Sequence, residues 1–210
     1  MPIESIITLA IASALLGLAP GPDNIFVLAQ SALYGKKSGV LVTLGLCTGL
    51  IVHTTAVAFG VAAIFQSSVL AFTLLKGVGA LYLLYLAWQA FRASASRMQT
   101  AQSTLRSNAA LYRRGIIMSV TNPKLSVFFL AFLPQFASPQ YGALAPQIFV
   151  LGAVFMAVSL VIFCSIAVLA GQLGGWLNNS ARAQLYLNRV TGVVFAGLAL
   201  KLLSTSAHAQ

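Results

Sequence analysis

The sequence predicts an all-α integral membrane protein, a single transmembrane domain over residues 1–210 with six transmembrane helices in two inverted three-helix halves. Of 210 residues, 59% are hydrophobic and only 7% charged, and the mean hydropathy is +0.92, beyond what a soluble domain of this size keeps dissolved. Apolar stretches long enough to cross a bilayer, roughly 20 residues each, alternate with polar or helix-breaking clusters. Basic residues gather in every second connection, the pattern of cytoplasmic loops.

Span 1 covers residues 5–34 and carries an internal break at its prolines. It lacks a basic leader region, holds Glu4 instead and runs apolar past Pro20, so it is expected to be a retained span and not a cleaved signal. Span 2 covers 38–65, ending at Gln66-Ser67-Ser68, and span 3 covers 69–91. Residues 92–114 are polar and basic and form the expected hinge between halves 1–91 and 115–203. Span 4 covers 115–136, the turn signal Ser138-Pro139-Gln140-Tyr141-Gly142 follows, span 5 covers 144–173 and span 6 covers 186–203.

Twelve Lys and Arg against two carboxylates, Glu4 and Asp23, would suit a nucleic-acid partner if the charges shared one face. They do not. Lys36 and Lys37, Arg92 to Arg114, and Arg182 and Arg189 follow spans 1, 3 and 5, which excludes nucleic acid and places both termini outside. Three spans per half make the halves run in opposite senses, the geometry of an inverted repeat. Lys76-x-x-Gly79-x-x-Tyr82 in span 3 resembles Arg189-x-x-Gly192-x-x-Phe195 in span 6, and both halves break their first span with proline.

Pro20-Gly21-Pro22-Asp23-Asn24 cannot continue a regular helix. Unwound backbone at membrane depth is tolerated where it lines a cavity, so Pro20, Gly21, Pro22 and Asp23 are candidate substrate-binding residues. Asp23 is the one carboxylate well inside a span, and such a residue suggests a role with a substrate ammonium or a proton. Its other reading is the N-cap of the second half of span 1. Thr121-Asn122-Pro123-Lys124 forms the second break, where Pro123 cannot donate to the Ser119 carbonyl and leaves it open to a ligand or water. The breaks lie at similar depth, as in transporters whose discontinuous helices hold a zwitterion, so Asn122, Pro123 and Lys124 join the site. Lys124 has three readings: a partner for the substrate carboxylate, a counter-ion for Asp23, or a snorkeller reaching the interface.

Other polar residues have plainer roles. Lys76 and Lys201 fit interfacial snorkelling, and His53 fits a hydrogen-bonded packing residue or a proton relay. Gly45-x-x-x-Gly49 has the spacing for close helix contact. Cys47 and Cys164 show neither metal nor redox spacing. No metal or other cofactor is expected, and an enzyme is disfavoured because Glu4, Asp23, His53 and His208 supply no paired acids or metal cluster.

These motifs, in one order, resemble the LysE/RhtB superfamily of bacterial amino-acid exporters, and more closely its homoserine and threonine exporter branch. The likeness rests on Pro20-Gly21-Pro22-Asp23, Lys36-Lys37-x-Gly39, Gly45 to His53, Lys76-x-x-Gly79-x-x-Tyr82-Leu83, Asn122-Pro123-Lys124 with Phe128 to Phe136, and Leu187-Asn188-Arg189-x-x-Gly192. The resemblance implies a secondary transporter in the bacterial inner membrane that exports amino acids by exchange with protons. Its partners would be an amino-acid substrate, protons and the lipid bilayer, with a homodimer left open. Members carry Asn or Asp at the fourth position of the first motif, so the resemblance leaves open whether proton coupling passes through Asp23. The alternative is an exporter of a cation or another small metabolite, although a hard cation calls for more oxygen ligands than one buried acid provides.

Overall fold

A computed structural model describes residues 1–67, 69–94 and 107–204, and among these every regular element is helical. The helices are α1 (Ile3–Leu18), α2 (Pro22–Tyr34), α3 (Lys36–Ser67), α4 (Val69–Arg92), α5 (Asn108–Val120), α6 (Pro123–Val127), α7 (Leu144–Asn179) and α8 (Ala181–Ser204). Four of them, α3, α4, α7 and α8, hold apolar segments long enough to cross a membrane alone, and two bent pairs complete six spans. α1 and α2 meet at 60°, and α5 meets the Pro123–Phe136 segment at 49°. Both breaks fall at the prolines, as expected from a residue that lacks the N–H and crowds the preceding turn.

Span 4 has a second irregularity. After α6 the chain widens into a π turn at Phe128–Phe132 and tightens into a 3₁₀ turn at Leu133–Phe136. Pro134 sits in that 3₁₀ turn, where its ring and missing N–H oppose a regular α register.

The helices run past the ends that hydropathy marks. α5 starts at Asn108, inside the stretch expected to be loop, because Ser107 accepts a hydrogen bond from Ala110 N–H at 3.3 Å and Leu111 is buried. Arg113 and Arg114 stay exposed on this first turn and a half, so their charge is compatible with helix. The centre of the expected hinge, 95–106, lies outside the described residues. α8 likewise begins five residues early, capped by Ser180 Oγ, which accepts from Ala183 N–H at 3.1 Å. α7 extends to Asn179.

Packing follows an exchange pattern. α5 of the second half packs on α3 of the first, α1 and α2 of the first half pack on α7 of the second, and α3 meets α7 as α4 meets α8. Swapping the halves leaves these pairings unchanged. The matched glycines of spans 3 and 6 both give room to a neighbour but not to the same one: a Cβ on Gly79 would collide with Ala131 of span 4 and only touch Leu202 of span 6, whereas one on Gly192 would meet the Phe91 ring of span 3 at 2.8 Å. α3 and α5 approach most closely where Gly45 faces Gly115: a Cβ on either would lie 3.0 Å from the other's Cα and would collide with a carbonyl of the opposite helix, Tyr112 or Val42. The Gly45/Gly49 spacing therefore serves packing within the chain.

Two apolar clusters divide the interior. The larger one is centred away from the basic connections, around Leu9, Leu16, Leu50 and a group of rings from Phe128, Phe129, Phe132, Phe136 and Phe155, and continues along α4 to Leu83 and Ala87 near Arg92. The smaller one, toward the basic end, holds Val27, Val42, Leu46, Leu111, Phe163 and Ala167. Large apolar side chains such as Ile7, Leu81, Val161 and Val193 point outward, the surface a bilayer covers and water does not tolerate.

Candidate functional site

Six buried polar side chains, Asp23, Asn24, Ser119, Asn122, Lys124 and Ser159, collect where the two clusters meet, at the level of both helix breaks. α1 ends at Leu18, and its last carbonyls need partners that lipid cannot supply. Side chains provide them. Asn24 Nδ2 donates to Gly17 O at 2.6 Å. The Lys124 ammonium donates to Leu16 O and Ala19 O, each at 3.4 Å. The same ammonium reaches Asp23 Oδ1 at 3.4 Å. Asp23 is 2% exposed and Lys124 5%, so this is a buried ion pair joining the broken first span of one half to that of the other.

Glycine makes the pair possible. A Cβ on Gly21 would lie 2.7 Å from Asp23 Oδ1 and 3.0 Å from Lys124 Nζ, leaving no room for both charges. Gly21 also occupies the N-cap of α2 with extended backbone, followed by Pro22 at the first helical position. Asp23 therefore is not the N-cap: it stands two residues past it, at the second helical position, and turns to Lys124. Its charge still suits the positive end of α2. At the other break the capping residue is Asn122, whose Oδ1 accepts from Lys124 N–H at 3.0 Å. Asn followed by Pro is a legible helix start.

The Ser119 carbonyl, freed by Pro123, is not open. It accepts from His53 Nε2 at 3.0 Å and from Asn122 N–H at 3.1 Å. A carbonyl only accepts, so Nε2 carries the hydrogen. His53 lies against Phe129 with ring centroids 5.5 Å apart and acts as the hydrogen-bonded packing residue.

A small cavity opens beside the ion pair, lined on the polar side by Asp23, Lys124, Ser119, Ser159 and Gly17. Leu16, Leu50, Leu125 and Phe155 wall it from the larger cluster, and Leu46, Cys47 and Phe163 from the smaller. It has room for about one water molecule. Ser119 Oγ, Asn122 Nδ2 and Asn24 Oδ1 are buried at this level without a protein partner, a concentration of unmet hydrogen-bonding capacity that a dry core does not tolerate cheaply.

Of the seven residues named from sequence, Asp23 and Lys124 line the cavity. Gly21 shapes it, Asn122 caps α6 with its amide nitrogen unpartnered, and Pro20 is half-buried. Pro22 and Pro123 are exposed on the outer side of their breaks, where they set the bend. Snorkelling of Lys124 is excluded by its burial. Sequence reasoning reached Asn24 only as part of the first break and Ser119 only through its carbonyl, not its hydroxyl, and it missed Ser159, which sits in an unbroken apolar helix with no local signal. Cys47 and Cys164 are free thiols in the packing, and Lys201 stands over the Phe136 ring at 5.1 Å, as a chain-end lysine near the interface does. Among the described residues no group of three or more His, Cys, Asp or Glu side chains is placed to hold a metal ion.

Comparison with known proteins points the same way. Residues 14–206 match the LysE type translocator family. The chain is 35% identical to the homoserine/homoserine lactone efflux protein of Salmonella typhimurium, over 94% of each chain. It is 30% identical to the leucine efflux protein of the same organism over 88% of each, and 34% identical to an uncharacterized membrane protein of Vibrio cholerae over 90% of this chain and 92% of that one. No solved structure matches it.

Proposed function

Because this chain belongs to the LysE type translocator family, we propose that it is a secondary transporter that exports amino acids or close derivatives, of the homoserine, threonine or leucine kind, across a bacterial inner membrane in exchange for protons. The observation that carries this reading is the buried Asp23–Lys124 pair bridging the two broken spans beside a polar cavity. A transporter needs a site at mid-depth reachable from either side, and breaks in two oppositely directed helices supply it. Relatives named for homoserine and leucine efflux support the substrate class.

In this reading the basic connections face the cytoplasm and both termini face outside. The substrate ammonium meets Asp23 and the carbonyl end of α1, where negative charge and the helix dipole both favour a cation. After outward release, Asp23 takes a proton from outside and returns it to the cytoplasm. The cavity holds about one water, so halves 1–91 and 115–203 must part on one side and then the other. The ring group of Phe128, Phe129, Phe132, Phe136 and Phe155 closes the outer side of the site, and the smaller cluster around Phe163 closes the inner side.

The test is efflux from cells lacking their own exporters, loaded with dipeptides and expressing the chain or its Asp23→Ala form, with every released amino acid quantified. Faster release of one group of amino acids, lost on substitution, is expected. Equal release from expressing and empty cells, with the protein confirmed in the membrane, overturns the reading. Proton coupling is tested separately: Asp23→Asn should abolish the dependence of export on external pH, and an unchanged dependence would remove Asp23 from the coupling.

A further inference from the structure

We infer that the Lys124 ammonium is a tethered stand-in for the substrate's ammonium group, occupying the cation site of the resting protein and leaving it only when substrate binds. The inference rests on the export reading above. Its basis is the identity of the groups around Nζ. Leu16 O, Ala19 O and Asp23 Oδ1 surround it at 3.4 Å each, which is the set of acceptors a free alkylammonium would seek: two carbonyls from a helix C-terminus and one carboxylate.

The contacts are also long. Charge-assisted N–H···O bonds close to about 2.7–2.9 Å when a cation is locked, whereas all three here lie near the outer limit. Lys124 is thus centred in the site without being tightly bound to any one acceptor. Its own helix supplies none of these acceptors, since all three belong to the opposite broken span. Displaced, the ammonium has somewhere to go: Ser119 lines the same cavity, and its Oγ is buried with no partner. A substrate ammonium entering the site would push Lys124 toward that hydroxyl and toward the substrate's own carboxylate. One lysine then fills the acid's pocket when substrate is absent and answers the carboxylate when it is present. Asp23 is never left as a bare buried charge at either stage.

The rival role is a fixed carboxylate anchor, in which Lys124 never competes for the ammonium site. Substrates stripped of the carboxyl group separate the two. The purified full chain is reconstituted in lipid nanodiscs, and equilibrium binding is measured for homoserine and leucine and for the amines left without their carboxyl groups, 3-aminopropan-1-ol and 3-methylbutylamine. Wild type, Lys124→Gln and Lys124→Met are compared. A competitor occupying its site nine-tenths of the time lowers apparent affinity about ten-fold, so both variants should bind the amines about ten-fold or more tighter than wild type. Addition of Asp23→Asn should cancel the gain.

Unchanged or weaker amine binding in the variants, with weaker amino-acid binding, overturns the stand-in and leaves the anchor. Should neither variant fold, wild-type Lys124 is acetylated with a membrane-permeant ester and followed by mass spectrometry. The tertiary amine N,N-dimethyl-3-methylbutylamine, which the reagent does not consume, should raise labelling of Lys124 by displacing it. No rise would overturn the proposal. Wild type that binds none of the amino acids defeats the export reading itself, whereas wild type that binds them with no amine gain in the variants defeats this proposal alone.

Discussion

Neutralising one member of the Asp23–Lys124 pair should cost more than neutralising both, by an amount that the geometry bounds. At the observed 3.4 Å and an effective dielectric of about 20, two unit charges attract by about 5 kcal/mol. Removing one partner of a buried pair typically costs about 3–5 kcal/mol, because the other charge stays buried without compensation. The two single variants should not be equal. In Asp23→Asn the amide oxygen can still accept from Lys124, and the carbonyls of Leu16 and Ala19 keep their donor. In Lys124→Met the acid is stranded and both carbonyls lose the ammonium, so this variant falls further. Combining the two removes the stranded charge while the carbonyls stay unmatched, and should recover about 2–4 kcal/mol relative to Lys124→Met. Reversible unfolding by SDS titration of the purified protein in mixed micelles, run on all four forms, reads these differences directly. Additive losses, with the double variant as unstable as the sum of the singles, would show that the charges do not interact and would remove the ion pair as the link between the halves.

Three further outcomes follow from named contacts. Gly21→Ala puts a methyl 2.7 Å from Asp23 Oδ1 and 3.0 Å from Lys124 Nζ, so export should fall sharply with a stability loss of about 1–3 kcal/mol; normal efflux in the assay above would refute the crowding. His53→Phe keeps the ring against Phe129 but strips Ser119 O of a donor; a loss of about 1–3 kcal/mol is expected, with partial recovery in His53→Gln, and SDS titration measures both. For topology, single cysteines in a chain cleared of Cys47 and Cys164 are treated with a membrane-impermeant maleimide: Ile3→Cys should label on intact cells and Lys36→Cys only after permeabilisation, and the opposite result inverts the assigned orientation.

The span count and the two breaks were legible because each has a strong local cause, whereas the pairing of Asp23 with Lys124 stood as one of three readings of the lysine. Apolar runs near bilayer length, prolines inside them and a lone buried acid all announce themselves without tertiary knowledge. Helix ends were less legible, because hydropathy marks where lipid begins and not where hydrogen bonding stops: Ser107 and Ser180 start α5 and α8 in polar sequence. The cap was also left open at one break, where capping stood as the second reading of Asp23. Asp23 is a favoured N-cap type, yet Gly21 takes that place, since the pull of Lys124 on the carboxylate comes from a residue a hundred positions away. Local propensity cannot register such a partner. The same holds for His53, whose bond to Ser119 O exists only because α3 and α5 are brought together by Gly45, Gly49 and Gly115.

The two breaks share a register that gives the ion pair its sense. Each starts a helix with proline at the first position, Pro22 or Pro123, and sets a charged residue next, Asp23 or Lys124. If the halves are related by a two-fold axis in the membrane plane, equivalent residues near that axis face one another. Like charges there would repel in a low-dielectric interior by roughly the energy that unlike charges gain. Opposite charges at equivalent positions convert that constraint into a link between the halves. They also divide the labour: Asp23 sits at a helix N-terminus that favours it, and Lys124 leaves an N-terminus that does not favour it for the carbonyl end of α1. A pair in which one partner is content at home and the other is held mainly across the interface is poised to separate on the lysine side. Rocking of the halves should therefore move Lys124 more than Asp23, so a spectroscopic or chemical probe of Lys124 should report the transport cycle more strongly than one placed on α2.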